Sequence, residues 1–156
     1  YKDRLLQSLR YCQTHKGMEI FAWCVMTNHV HLIFRSTNGQ KPELLLGDFK
    51  RFTSRSIRKA IQENYRESRK EYLLNYFKME AAGNSNTTDY QFWRHDNHPI
   101  ELWSNKVIQQ KIDYIHNNPV KAGIVFRPED YKYSSACDYA GIEGLLPDIT
   151  VFQQKL

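Results

Sequence analysis

Apolar residues recur along this chain in two periods, and the switches between them mark its elements. Between residues 3 and 16, Leu5, Leu6, Leu9 and Cys12 fall on one side of a 3.6-residue turn. Gly17 follows as a stop signal, so the pattern predicts an amphipathic helix. Residues 19–26, with Ile20, Phe21, Trp23 and Val25, are rich in apolar and aromatic side chains and predict a strand. After a tight connection at Thr27-Asn28, residues 29–35 alternate and predict its antiparallel partner. Side chains two apart on a strand point the same way, so Val30, Leu32 and Phe34 share one face and His29, His31 and Ile33 the other. The first set is expected to pack on helices, leaving the histidines on the open face of the sheet.

The helical period returns from about residue 42 to 62, with Leu45, Phe49, Phe52, Ala60 and Ile61 expected inside. Tyr72, Leu73, Tyr76 and Phe77 suggest a second helix over 66–81, and 83–89 is a polar loop. Residues 90–94 are expected to return to the sheet as a strand, followed by a loop over 95–99. Ser104 is a plausible N-cap for a last helix whose core stripe is Ile108, Ile112 and Ile115. Pro119 predicts its end near Asn118. From Val120 onward the chain is tyrosine-rich and irregular. There is no internal repeat and no linker, so residues 1–156 read as a single domain.

Composition narrows the class. At 156 residues, 41% hydrophobic and 25% charged, the chain suits a soluble globular domain able to bury a core without staples. No apolar run approaches the ~20 residues that span a bilayer, and nothing resembles a signal peptide. The three scattered cysteines, Cys12, Cys24 and Cys137, read as reduced thiols of a cytosolic protein. The net charge of +5 is modest, but Lys50, Arg51, Arg55, Arg58 and Lys59 crowd into ten residues with no acid among them. At 3.6 residues per turn Arg51, Arg55 and Arg58 fall opposite the apolar stripe, an arrangement that suits a phosphate backbone. A lone basic helix face is more often simply solvated.

Candidate chemistry starts at His29-Val30-His31. Two imidazoles on one strand face can hold a divalent metal, although so short a motif is weak alone. Far downstream, Tyr114 and Asn118 lie four apart on a helix face about a third of a turn from the isoleucine stripe. A tyrosine serving only the core would sit on that stripe. The Asn118 amide can offer a metal its carbonyl oxygen, or cap the helix C-terminus ahead of Pro119. Lys111 lies on the same side and can reach a phosphate. His116 faces away from Tyr114 and is expected to pack or hydrogen-bond structurally.

Asn28-His29-Val30-His31-Leu32-Ile33, followed by Tyr114-Ile115-His116-Asn117-Asn118-Pro119-Val120-Lys121-Ala122-Gly123, resembles the single-tyrosine HUH transposases, above all the REP-associated tyrosine transposase group. HUH denotes two histidines around a bulky hydrophobic residue, here Val30. The likeness runs from the first helix to Ser134-Ser135, and two separated motifs in the right order are more specific than either alone. It implies an α+β, ferredoxin-like fold, an antiparallel sheet with helices packed on one face. It implies His29 and His31 as metal ligands, Asn118 as a third, Mg²⁺ or Mn²⁺ as the metal and Tyr114 as the nucleophile. The phenolate would attack single-stranded hairpin DNA, giving a 5′-phosphotyrosine link and a free 3′-hydroxyl. Arg51, Arg55, Arg58, Lys59 and Lys111 would hold the DNA. Trp93 is the first aromatic to consider for base stacking, against an equally reasonable place in the core. His95, His98 and His116 are the candidates for a general base.

The resemblance also implies a cytoplasmic, nucleoid-associated protein with no membrane contact, and a possible homodimer in which this helix is exchanged. One departure concerns the start. The family opens with a strand before the first helix, whereas Tyr1 begins almost at that helix and no initiator Met is present. The first strand, expected beside 29–35, is therefore expected to be missing from this chain, lying in a segment upstream of Tyr1 or supplied by another chain. The insert at 66–89 is a second local variation. Two rival functions stand beside the transposase reading. A ferredoxin-like binder that lost its chemistry would not need His29, His31, Tyr114 and Asn118 together. A metal hydrolase would need more carboxylates than flank either motif.

Overall fold

The computed structural model describes residues 1–82, 89–94 and 99–153. The expected loop at 83–89 lies almost wholly outside the described residues, as does most of the one at 95–99. Helix α1 (Lys2–Lys16) ends at Gly17, whose φ of 65° is the left-handed conformation that glycine adopts without penalty. Strand β1 (Met18–Val25) then pairs antiparallel with β2 (Val30–Ser36), with Met18 opposite Ser36 and Val25 opposite Val30. The turn between them closes where Met26 N–H donates to the His29 carbonyl over 2.9 Å.

The register slips at Phe21, between Ile20 and Ala22. An extra residue in one strand reverses the alternation beyond it. Met18 and Ile20 before the slip, and Trp23 and Val25 after it, therefore join one core, while Ala22, Cys24 and Met26 join another. The first core is filled by α1 and by α2 (Pro42–Glu63), through Leu5, Leu6, Leu9, Leu45, Phe49, Ile57 and Ile61. Val30, Leu32 and Phe34 pack against it, as their spacing predicts.

The opposite face is not bare. Helix α4 (Asn105–Lys121) crosses it, laying Ile108, Ile112 and Ile115 against Ala22, Cys24, Met26 and Ile33. The isoleucine stripe and the second apolar face of the hairpin each need cover, and each supplies it to the other. Ser104 caps α4 by accepting from Val107 N–H. The helix does not stop before Pro119, which is buried within its last turn. It ends at Ala122, with Gly123 left-handed at φ 68°.

Two further expectations are corrected. Residues 90–94 form no strand. They fold over α2 and α3 (Lys70–Ala82), with Gln91 N–H donating to the Phe77 carbonyl and Trp93 Nε1–H to Thr53 Oγ1. Phe92 and Trp93 are neighbours that both pack against the core, which strand alternation cannot provide. Trp93 is thus a packing residue, in ring contact with Phe49 and Phe92. Phe52 is 63% exposed instead of buried. The buried row of α2 runs Leu45, Phe49, Thr53, Ile57, Ile61 in steps of four, and Phe52 lies about 100° round from Thr53.

Among the described residues the sheet has two strands, consistent with the α+β class. The outer edge of β1 is covered by the chain near its end, where Val25 N–H donates to the Tyr133 carbonyl and Ser135 N–H to that of Trp23. No strand pairs with the outer edge of β2 among the described residues, the position of the expected first strand. No helix among them is long and apolar enough to cross a membrane.

Ser135 is the polar rivet of this assembly. Its hydroxyl accepts from Trp23 N–H at 2.9 Å and lies 2.8 Å from His116 Nε2, joining α4, β1 and the C-terminal segment. All three residues are buried. Replacing Ser135 with Ala leaves buried polar groups without partners and is expected to cost about 2–3 kcal/mol in urea unfolding. A loss within experimental error would show that this hydroxyl does not hold the elements together.

Candidate functional site

The hairpin and α4 bring four of the sequence-predicted residues to one place. The rings of His29 and His31 meet edge to face with centroids 4.8 Å apart, and that of His31 meets Tyr114 in the same manner at 5.5 Å. The strand supplies the histidines from one face, and α4 supplies Tyr114 from the shoulder beside its isoleucine stripe. Tyr114 is 47% exposed beside the His31 ring. Lys111 Nζ lies 6.0 Å from the Tyr114 ring centroid and Lys121 Nζ 5.2 Å from it.

Hydrogen bonds orient the donors. The Nδ1 of His29 lies 2.7 Å from Asn28 Oδ1, a bond that leaves Nε2 as the free nitrogen. The Asn118 Nδ2 donates to the Tyr114 carbonyl at 2.7 Å, so the amide oxygen is left for another partner. Asn118 lies inside α4, and the C-cap is Ala122, which sets aside a capping role for it. His31 Nε2 is buried and makes no hydrogen bond of good geometry. Burial lowers the pKa of His31, the charge of His29 lowers it further, and the nearby Asn118 amide opposes the shift. His31 is therefore held toward the neutral imidazole that a metal requires.

A buried imidazole nitrogen without a partner, beside a second imidazole and an amide, fits a divalent ion. Among the described residues no group of three or more His, Cys, Asp or Glu side chains could hold a metal. The candidate set is thus two imidazoles and one amide carbonyl. Cys24 sits directly across the strand pair from His31, but burial pushes its thiol up to about 11, away from the thiolate a metal binds.

The basic residues divide. Lys111 belongs to the site, whereas Arg51, Arg55, Arg58 and Lys59 are on α2, beyond the other face of the hairpin. Arg51 pairs with Asp48 at 3.1 Å and Lys59 with Glu63 at 3.7 Å. The Arg58 guanidinium stacks 3.9 Å from the Tyr90 ring centroid. Sequence reading missed Lys121 and the orienting bond from Asn28. Lys121 is seven residues beyond Tyr114 and shares its face, but ending the helix at Asn118 removed it from view.

Of the general-base candidates, His95 and His98 lie outside the described residues. His116 faces the core, bonded to Ser135 and in ring contact with Tyr139 at 4.8 Å.

Comparison with known proteins adds three findings. Residues 1–92 match the family model described as Transposase IS200 like. The REP-associated tyrosine transposase of Escherichia coli (strain K12) is 28% identical over 120 residues, covering 77% of this chain and 55% of that protein. The chain thus spans about half the length of that curated relative. A solved structure of a REP-associated tyrosine transposase bound to a REP hairpin shares the fold, with a TM-score of 0.55 at 21% identity. That match covers 98% of this chain and 74% of the other.

Burial holds His116 neutral, its pKa pushed down to about 4 from the ordinary 6.5. The unfolded chain takes up this proton near pH 6.5, while the folded chain refuses it until about pH 4. Stability is therefore unaffected above that window and falls as pH drops through it, by up to about 3 kcal/mol. Urea unfolding at stepped pH is expected to show this slope, and His116→Gln to flatten it. An equal slope in the variant would place the titrating group elsewhere.

Proposed function

Because this chain belongs to the IS200-like transposase family, we propose that it cleaves and rejoins single-stranded, hairpin-bearing DNA through Tyr114. The observation that carries the reading is that His31 meets His29, Tyr114 and the Asn118 amide together. A packing tyrosine would have no reason to stand half exposed against a buried histidine whose Nε2 is unpaired.

In this reading the Tyr114 oxygen attacks a backbone phosphorus, and the bond from phosphorus to the 3′ oxygen breaks. The products are a 5′-phosphotyrosine and a 3′-hydroxyl, which takes up a proton as the phenol gives one up. The bond energy is kept in the new ester, so the reverse attack by a 3′-hydroxyl rejoins strands without ATP. A divalent ion held by His29, His31 and Asn118 would polarise the phosphate oxygen and offset its developing charge. Two nitrogens and a carbonyl oxygen suit Mn²⁺ better than Mg²⁺, because imidazole is the softer donor. Asn28 keeps the His29 ring turned for that purpose, and Ile112 and Ile115 hold α4 at the depth that lets Tyr114 reach. Arg51, Arg55, Arg58 and Lys59 serve in this reading as a phosphate-binding row on the far side of the hairpin. In this reading the protein works in the cytoplasm, with the nucleoid.

Incubation with a single-stranded hairpin oligonucleotide and Mn²⁺ is expected to give a protein–DNA adduct that survives denaturing electrophoresis. Tyr114→Phe and chelation by EDTA should each abolish it, while hairpin binding by the variant persists. An adduct that forms equally in Tyr114→Phe would overturn the assignment. Binding without any adduct in the wild-type protein would leave a DNA-binding module.

A further inference from the structure

We propose that Lys121 and Lys111 together form a phosphodiester seat straddling Tyr114, with Lys121 as its unassigned second arm. The proposal rests on the tyrosine-nucleophile reading and adds the group that positions the strand being cut. Lys111, Tyr114, Asn118 and Lys121 lie at i, i+3, i+7 and i+10 of one helix, a single row along α4. The row exists because α4 runs through Pro119 to Lys121. Both ammonium groups come within reach of the same ring, Lys121 at 5.2 Å and Lys111 at 6.0 Å from its centroid.

Neither lysine forms an ion pair among the described residues. The acid nearest in sequence on this helix, Asp113, is about 160° round from Lys111, where it accepts from Gln109. The π system of the ring attracts each cation. That attraction gathers two like charges round one side chain and leaves them uncompensated. An anion placed between them relieves the repulsion. The anion that must approach Tyr114 in the proposed reaction is a backbone phosphate of single-stranded DNA. Lys is suited to this place, since it acts as a point charge that can follow the phosphate as bonds change.

The competing role for Lys121 is structural, as the basic residue in the last turn of α4 facing its carbonyl end. The two roles separate in experiment. Binding of a fluorescein-labelled, unstructured dT oligonucleotide would be followed by anisotropy over a salt series. For a phosphate contact, Lys121→Gln should reduce the slope of log K against log salt by about 0.7, and Lys111→Gln with it by about 1.4. Lys121→Arg should restore the slope. The adduct rate on hairpin DNA should fall about 10-fold or more in Lys121→Gln, with thermal stability nearly unchanged. A helix-end role predicts the reverse: a lowered melting temperature, an unchanged slope and an unchanged adduct rate. That result would overturn the seat. The salt slope reports binding alone, so it tests the seat even if the wild-type protein forms no adduct.

Discussion

The packing of Ile112 and Ile115 of α4 against Ala22, Cys24 and Ile33 fixes how Tyr114 lies against the histidines of the hairpin. Both isoleucines are buried, and burial of each contributes roughly 1.5–3 kcal/mol relative to exposure. Rotating α4 to move Tyr114 would draw one of them into water. Translating it would break the bond from His116 to Ser135, a buried polar contact that tolerates little displacement. The tyrosine is therefore placed by residues that do no chemistry. The histidines it meets are placed in turn by the alternation of β2, while the bulge at Phe21 makes β1 apolar toward both helical layers.

This layering separates two kinds of work. The dense row of cations belongs to α2, beyond one face of the hairpin, and Tyr114 belongs to α4, across the other. On the proposed reading, one short stretch of backbone cannot satisfy both. The α2 row is suited to holding a duplex stem, where charge alone is needed. The α4 row is suited to the strand being cut, where position decides the rate. The histidines stand on the α4 side because the alternation of β2 puts Val30, Leu32 and Phe34 into the other core.

The parts legible from sequence were those fixed by local rules. Gly17 ended a helix, Ser104 began one, and two-residue alternation placed His29 and His31 together. The parts that were not legible depended on partners. Phe21 is apolar like its neighbours, so the slip it introduces leaves no mark in the pattern, and only the register shows it. Tyr90, Phe92 and Trp93 look like a strand because aromatics favour sheets. Thr53 and Phe77, far away in sequence, hold them in a different path. Phe52 looks like a core residue because it is apolar, although the spacing of Leu45, Phe49 and Thr53 excludes it.

Pro119 shows most clearly how a sound local rule can hide a site. Proline ends helices because it has no N–H and crowds the preceding turn. Here the lost donor is the one that would serve the Ile115 carbonyl, and Asn118 Nδ2 approaches that carbonyl at 3.5 Å while bonding that of Tyr114 at 2.7 Å. The buried ring of Pro119 adds apolar contact that offsets the missing bond, and the helix gains its last three residues. The same hydrogen bond turns the Asn118 oxygen away from its own backbone. One proline thus does two things at once: it carries the helix as far as Lys121, and it lies beside the amide proposed as a third donor with His29 and His31.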